Sequence, residues 1–198
     1  MNPDNAIPLR GEQPQRLTPA TDQTEESVDI RPLWAGFPTG VSIVTATDGD
    51  GRPWGMTCTS LCSVSLDPPI LLICLRCGSP TLKAVQDRGL FAINLLHDEA
   101  QASAELFSSR IADRFDHIQW RADERAAGPH LPNSAHTIAD CAVVEESTVG
   151  DHVVIMGRIR RITQVGAHKP LLYGLRRYAT WRETVAGNPI SYEYDFIS

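Results

Sequence analysis

A run of small polar residues in the second quarter of the chain could hold a flat ligand. It begins Gly55-Met56-Thr57-Cys58-Thr59-Ser60 and resumes at Ser63-Val64-Ser65. Such residues let a ligand approach the backbone N–H groups, and their hydroxyls can hydrogen-bond the polar edge of a heterocycle. An edge strand with polar side chains facing water has the same composition, and composition alone favours that interpretation over a pocket.

The stretch Arg76-Cys77-Gly78-Ser79-Pro80-Thr81 could bind a phosphate. Ser-Pro after a glycine turn is typical of a helix start, with serine as the N-cap and proline in the first turn. The first N–H groups of a helix have no intrahelical acceptor and favour an anion, and Ser79, Thr81 and Arg76 would add donors. A serine cap that binds no ligand is the alternative.

Gly150-Asp151-His152 places a histidine directly after a turn signal and at the start of a predicted strand. A histidine at such a point can face a cleft, where its ring can donate a hydrogen bond to a developing negative charge. An exposed turn histidine without a role fits the same pattern equally well.

Tyr173 opens an aromatic and basic segment that ends near Trp181. Its rings could stack on a bound ring or close a pocket. They could also pack beneath a terminal helix, which is the commoner use of such side chains.

The five cysteines favour a core role over a metal or disulfide role. Their odd number and the absence of a signal-peptide pattern argue against a disulfide framework. Cys74-x-x-Cys77 with Cys58 and Cys62 could form a zinc site. However, Cys74 lies in an apolar run typical of a buried strand, where residues three apart point to opposite faces. We therefore expect no metal.

The elements that must position these stretches are mostly strands. Apolar and β-branched runs separated by Gly, Asp and Pro predict hairpins rather than β-α-β units. The chain therefore favours an antiparallel barrel, mainly β with a few helices. We predict helices at Pro80–Asp87 and Asp98–Ser108, and strands at Val41–Thr47, Trp54–Leu61, Cys62–Leu66, Ile70–Leu75, Leu90–Leu95, Thr137–Glu146 and Val153–Thr163.

Composition limits the classes of protein that fit. The chain has 198 residues, a net charge of −6 and 42% hydrophobic residues, which suit one domain with a core. We expect a flexible polar tail over residues 1–29 and a folded domain over residues 30–198. The acidic balance argues against nucleic-acid binding, and no apolar run suits a membrane span, so we expect a cytoplasmic protein. No dinucleotide, P-loop or serine-hydrolase motif occurs.

In this order, the stretches resemble the flavin reductase-like family, the small NAD(P)H:flavin oxidoreductases that serve two-component monooxygenases. The most specific combination is Phe37-Pro38-Thr39-Gly40-Val41, Ser63-Val64-Ser65-Leu66-Asp67-Pro68-Pro69 and Gly150-Asp151-His152. Shorter matches include Gly55-Met56-Thr57, Ser79-Pro80-Thr81, Phe91-Ala92-Ile93-Asn94-Leu95, Phe107, Arg114-Phe115, Cys141, Gly157 and Pro170-Leu171-Leu172-Tyr173. The resemblance covers roughly residues 33–181.

The resemblance implies a split β-barrel of the FMN-binding type, usually a homodimer, with FMN or FAD near the dimer interface. It puts the flavin phosphate near Ser79 and Thr81, and His152 on the nicotinamide side as the catalytic residue. NADH or NADPH would pass a hydride to the stacked flavin ring, and a separate monooxygenase would receive the reduced flavin. The flavin-binding residues that it suggests are Met56, Thr57, Cys58, Thr59, Ser60, Ser63, Val64, Ser65, Cys77, Ser79, Thr81, Phe107, Arg114 and Tyr173.

Two other functions fit the same barrel. The flavin could be a tightly bound prosthetic group in a reductase or oxidase that acts on another small molecule. The chain could also be a flavin-binding or sensing module without catalytic activity. These functions differ in whether flavin leaves the protein and in whether a nicotinamide nucleotide is oxidised.

Overall fold

The computed structural model of the chain describes residues 28–166 and 168–181. The chain divides into two units, Met1–Ile30 and Arg31–Ser198, and the fold below is that of the second. The predicted tail, residues 1–29, lies outside the described residues except for its last two positions. None of the helices in the described part of the chain is long and apolar enough to cross a membrane.

Strands dominate the described ranges. There are ten strands, three helices and a 3-10 turn at Arg114–His117. In chain order the helices and strands are α1 (Arg31–Ala35), β1 (Thr39–Gly40), β2 (Ser42–Thr47), β3 (Pro53–Cys58), β4 (Cys62–Leu66), β5 (Pro69–Arg76), α2 (Pro80–Arg88), β6 (Leu90–Leu96), α3 (Gln101–Ser108), β7 (Ala135–Val149), β8 (His152–Gln164), β9 (Leu171–Gly174) and β10 (Arg177–Thr180).

Seven strands form one antiparallel sheet in the order β3-β2-β6-β7-β8-β5-β4. The predicted hairpin between β2 and β3 is confirmed. Asp48 Oδ1 accepts the N–H groups of Asp50 at 3.0 Å and Arg52 at 2.9 Å, and Gly51 has the positive φ of 84° that the turn requires. The prediction of a mainly β chain with a few helices is also confirmed.

A serine side chain bridges the open side of this sheet. Among the described residues no strand pairing joins the edge strands β3 and β4. Ser60, just after β3, instead accepts the Cys74 N–H on β5 at 2.9 Å and donates to the Cys74 carbonyl at 3.2 Å. The hydroxyl thus replaces a strand partner for β5, and an open sheet held in this way fits a split β-barrel.

The sheet has a core on each of its faces. One core packs α2 against the inner strands and includes Val44, Ile73, Leu82, Phe91 and Ile155. The other packs α3 and the 3-10 turn on β2 and includes Ile43, Leu96, Ala104, Phe107 and Phe115. Burying apolar side chains at roughly 25 cal/mol per Å² is the main force that holds such layers together.

The segment around Tyr173 is a hairpin and not a terminal helix. β1, β9 and β10 form a separate three-stranded sheet in the order β1-β9-β10. Tyr173 lies opposite Thr39 on β1 and Tyr178 on β10. Tyr173 and Tyr178 therefore lie on two short strands, and the terminal helix of the alternative has no counterpart up to Trp181, where the described residues end.

Several predicted boundaries differ from the structure by one or two residues, and three differ by three residues. α3 begins at Gln101 rather than Asp98, β3 ends at Cys58 rather than Leu61, and β7 runs to Val149 rather than Glu146. The last difference arises because β7 pairs with β8 up to the Val149–His152 pair. That pairing extends strand structure over polar residues that carry no apolar pattern of their own.

Candidate functional site

A cleft of about 340 Å³ opens beside the first half of β3. It is lined by Arg52, Trp54 and Gly55, by Pro80 at the start of α2, and by the loop of residues 110–116. Its size falls in the range of roughly 300–1,000 Å³ that is typical of small-molecule sites. Three arginines and two aspartates line it, so its wall is polar and carries both charges.

The open edge of β3 supplies backbone donors at this cleft. Arg114 donates to the Gly55 carbonyl at 3.0 Å, so the Gly55 backbone points away from β2. Because the N–H and C=O of one residue in an antiparallel strand point the same way, the backbones of Pro53 and Thr57 also face outward. Pro53 has no N–H to leave unpaired there. Gly55 and Thr57 therefore present the free N–H groups.

Gly55 is fixed by the rings beneath it. A Cβ at this position would lie 2.7 Å from Phe107 Cε1 and 3.2 Å from Phe115 Cζ. The two rings meet edge to face with centroids 5.1 Å apart, and both are buried. Phe107 thus supports the floor of the cleft from below.

Arg114 ties the loop of residues 110–116 to β3. Besides Gly55, its guanidinium donates to the Ser109 carbonyl at 2.6 Å. Its Nε is buried and has no hydrogen-bond partner among the described residues. An unsatisfied buried donor is costly, so this atom is suited to an oxygen of a ligand.

An ion pair crosses the mouth of the cleft. Arg52 bonds Asp113 at 2.6 Å and stacks over the Trp54 ring, 4.7 Å from its centroid. The Trp54 indole N–H donates to Asp48 at 2.7 Å. That bond, together with the Arg52 N–H, lowers the pKa of Asp48. The aromatic wall of the cleft is thereby held in one orientation.

The start of α2 keeps one backbone donor for a ligand. Ser79 is the N-cap, and its hydroxyl accepts the Leu82 N–H at 3.2 Å, as predicted. Pro80 has no N–H, so the Thr81 N–H is the one first-turn donor that the cap does not use. Thr81 itself is buried. This arrangement can accept an anion at the cleft wall that Pro80 forms.

His152 lies beside the C-terminal end of β5. It pairs with Arg76 across the β5–β8 ladder, and the Cys77 N–H donates to the Asp151 carbonyl at 2.9 Å. His152 Nδ1 lies 2.7 Å from the Asp151 carboxylate, a bond that lowers the pKa of Asp151. Because a carboxylate only accepts, Nδ1 carries a proton and Nε2 faces elsewhere. The β5–α2 turn thus adjoins both Ser79 and the Gly-Asp-His turn.

The description "Flavin reductase like domain" belongs to a family model that matches residues 34–182. The chain belongs to this family. A flavin reductase (NADPH) of Lentzea aerocolonigenes is 46% identical over 156 residues, which are 78% of this chain and 90% of that protein. The HsaB reductase subunit of a flavin-dependent monooxygenase from Rhodococcus jostii is 34% identical over 77% of this chain and 78% of its own.

A solved structure with a related sequence also has this fold. It is the NADH:FAD oxidoreductase SgcE6 of Streptomyces globisporus C-1027, in complex with NAD and FAD fragments. The two structures superpose with a TM-score of 0.73 at 28% identity, over 82% of this chain and 100% of the other.

In this flavin reductase-like chain the predicted site residues fall into separate groups. Met56, Thr57 and Cys58 lie on β3, where Thr57 donates to the Ala104 carbonyl of α3 at 2.7 Å and Cys58 is buried. Thr59 lines a second, mostly apolar pocket of about 260 Å³ with His136 and Leu171. Of the predicted flavin-binding residues, Arg114 alone lines the cleft, and Ser79 and Thr81 flank its lining residue Pro80. Gly55, directly before Met56, also lines it.

Several predicted residues lie away from the cleft. Ser63, Val64 and Ser65 are on β4, at the sheet edge opposite β3, and Val64 is 47% exposed. Tyr173 lies in the three-stranded sheet, its ring 5.1 Å from that of Tyr178. Cys77 is exposed in the turn after β5. The β4 residues, Tyr173 and Cys77 therefore do not line one common wall of the cleft.

Sequence analysis missed most of the residues that line the cleft, among them Arg52, Trp54, Arg110 and Asp113. They lie in loops or at a strand start, and no motif marks them. Their roles depend on contacts between β3 and the loop of residues 110–116, which are distant in sequence. An arginine next to an exposed tryptophan is the one local signal that could have drawn attention to Arg52 and Trp54.

The cysteines do not form a metal group in the described part of the chain. Cys58 and Cys141 are buried, and burial raises the pKa of Cys141 to about 12. These two thiols therefore behave as small apolar core residues, as predicted, whereas Cys62 and Cys77 are exposed and do not belong to the core.

Proposed function

We propose that this protein is an NAD(P)H:flavin oxidoreductase that reduces FMN or FAD and supplies the reduced flavin to a separate monooxygenase. The observation that carries the proposal is the cleft at the open edge of β3. There, the outward N–H groups of β3, an arginine donor without a partner among the described residues and a helix start come together. Family membership and the relatives named above support the same activity.

The residues of the cleft fit a flavin nucleotide. The N–H groups of Gly55 and Thr57 would bond the polar edge of the ring system. Arg114 Nε, Arg110 and the Thr81 N–H would hold the phosphate end, where arginine donors and a helix start favour an anion. Arg52 and Trp54 would cover the mouth. The bound flavin supplies the hydride acceptor.

His152 is the proposed catalytic side chain on the nicotinamide side. With Nδ1 held by Asp151, Nε2 can accept a hydrogen bond when the ring is neutral and donate one only when the ring is charged. The ring can therefore orient the nicotinamide amide in either state. Asp151 acts as a positioning residue, because its carboxylate fixes the ring tautomer.

A released flavin suits the cleft better than a prosthetic flavin does. The cleft opens to solvent beside one exposed ion pair, Arg52–Asp113, whose side chains are 55% and 54% exposed. Exposed ion pairs contribute about 0–1 kcal/mol, so they open easily. We therefore place the flavin among the substrates and keep the prosthetic-group and non-catalytic functions as alternatives.

A second copy of the chain is the proposed structural partner. Leu33, Trp34 and Phe37 near α1 are exposed, as is Leu175 in the β9–β10 turn, and Leu175 bonds the Ala35 carbonyl at 2.7 Å. Contiguous exposed apolar side chains mark association surfaces. We also propose a cytoplasmic location, since the cysteines in the described ranges are free thiols, as a reducing compartment requires.

Flavin binding by Arg114 variants tests the proposed site. In titrations of the full chain followed by flavin fluorescence, Arg114→Ala is expected to weaken FMN or FAD binding by about tenfold or more, because it removes a charge-assisted donor. Arg125→Ala, an exposed arginine outside the cleft, should bind like wild type. Equal affinity in both variants, with Arg114→Ala folded, would remove this cleft from the proposal.

A further inference from the structure

Two histidines and an aspartate meet outside the cleft. His97 and Asp98 directly follow β6, and His168 lies between β8 and β9. One potential ligand atom of each residue lies within 4.8 Å of the others. His97 is buried, Asp98 is half-buried and His168 is exposed, so the group has a protein-facing side and a solvent-facing side.

The backbone holds the two segments together. The Asp98 N–H donates to the Lys169 carbonyl at 2.9 Å, and His97 pairs with Pro170 in an isolated bridge. The rings of His97 and His168 are stacked with centroids 4.7 Å apart and planes 28° from parallel. The side chains therefore converge without any rearrangement of the main chain.

The tautomer of His97 is set for a ligand role. Its Nε2 lies 3.0 Å from the Asn133 carbonyl, which can only accept, so Nε2 carries the hydrogen and Nδ1 keeps its lone pair. That lone pair accepts a long bond of 3.2 Å from the Glu99 N–H, which an ion would displace. A histidine ligand commonly donates its other N–H to a backbone carbonyl in this way.

We propose that His97, Asp98 and His168 bind a divalent transition-metal ion, with Zn²⁺ as the best-matched ion. Two imidazoles and one carboxylate suit Zn²⁺ and its first-row neighbours, whereas Mg²⁺ and Ca²⁺ prefer all-oxygen sites. Zinc–ligand bonds of about 2.0–2.2 Å put the ligand atoms of a tetrahedral site about 3.4 Å apart, and the three atoms here lie within 4.8 Å of one another, so a small movement completes the site. The exposed His168 can make that movement. Water would complete the coordination on the solvent side.

The ion would fasten the β8–β9 connection to the end of β6. That connection leads into the hairpin that carries Tyr173, and Pro170 and Leu171 line the second pocket. The site stands apart from the flavin cleft, so it does not depend on the proposed reductase function.

Metal titration of the full chain tests the site. After chelation and dialysis, Zn²⁺ is titrated by calorimetry, and Co²⁺ binding is followed by its visible absorption. Wild type is expected to bind one ion, and His168→Ala and Asp98→Asn to weaken binding by at least about tenfold. His117→Ala, an exposed histidine on the 3-10 turn, is the matched control and should bind like wild type. Zn²⁺ should also raise the Tm of wild type and of this control alone.

Each other outcome overturns the proposal. Absence of binding by wild type would leave the group as a hydrogen-bonded cluster. Binding that His168→Ala and Asp98→Asn both leave unchanged would put the ion elsewhere. A thiolate-to-cobalt charge-transfer band would assign it to the exposed Cys62 or Cys77. Because His168 is exposed, its variant should fold, and circular dichroism checks this.

Discussion

At the scale of single residues, the proposed chemistry depends on side chains and N–H groups that other bonds have already oriented. Asp151 fixes the tautomer of His152. Two nitrogens of the Arg114 guanidinium donate to carbonyl oxygens, and its Nε has no partner among the described residues. Groups oriented in advance lose little freedom when a ligand binds, which is how a protein lowers a barrier when the cofactor carries the chemistry.

His152→Gln separates the nicotinamide side from flavin binding. We expect slower oxidation of NADH or NADPH and a flavin affinity close to that of wild type, because His152 is not on the cleft that holds the flavin. Rapid mixing of nucleotide with flavin-loaded protein measures the step. An unchanged rate of hydride transfer would remove His152 from the proposed mechanism.

Gly55→Ala tests the floor of the cleft. The added Cβ would meet the buried Phe107 ring at 2.7 Å, and overpacking of this kind costs about 1–3 kcal/mol of the free energy of unfolding. Flavin binding should weaken as well, because the Phe107 ring or the β3 backbone at the cleft must shift to make room for the methyl group. Gly49→Ala is the control, since its Cβ would have no neighbour within 4 Å. Urea unfolding compares the two, and equal stabilities would contradict the packing described for Gly55.

At the scale of elements, the sequence predicted those parts whose signals are local. The Ser79 cap, the proline after it and the Asp48–Gly51 turn each act through residues within a few positions, and the structure has all three. The two long strands β7 and β8 were found from apolar alternation, although their outer ends extend over polar residues.

The loop of residues 109–134 could not be predicted because distant residues position it. Thr45 and Asn94 bond the Pro129 carbonyl, and Asp140 accepts from His130 at 2.9 Å. Burial alone would raise the pKa of Asp140, but the bonds from His130, the Ala127 N–H and Arg161 outweigh it, so that pKa is lowered. Hydrogen bonds between residues so far apart in the chain leave no pattern in a short stretch of sequence. Residues 110–116 of the same loop line the cleft. This is why sequence analysis placed the flavin mainly on β3 and β4.

The backbone conformation of the β9–β10 turn should lower the free energy of unfolding, and this can be tested. Leu175 and Arg176 have positive φ values of 52° and 59°, a conformation that two-residue hairpins normally give to Asn and Gly. Arg176→Gly should therefore stabilise the fold by about 1 kcal/mol, a Tm rise of roughly 2–4 °C for a chain of this size. Arg177→Gly, one position later in β10, should lower the Tm instead. A Tm decrease in Arg176→Gly would contradict this turn geometry.

At the scale of the whole molecule, the seven-stranded sheet has an open edge at β3, and the polar cleft lies along that edge. The seven-stranded sheet is bridged through Ser60 near the end of β3, while the first half of β3 keeps its edge for a ligand. The barrel that the sequence predicted fits this arrangement. The location of the cleft did not follow from the sequence, because it depends on how β3, α2 and the loop of residues 110–116 come together.

Oxidation of NADH and of NADPH by the purified full chain, with FMN or FAD added over a range of concentrations, is the most direct test. If flavin is a substrate, oxidation requires added flavin and saturates with it, and the dialysed protein holds none. Steady oxidation without added flavin, by protein that stays yellow through dialysis, would instead make the flavin a prosthetic group. Flavin binding without oxidation of either nucleotide would contradict the proposed reductase activity itself.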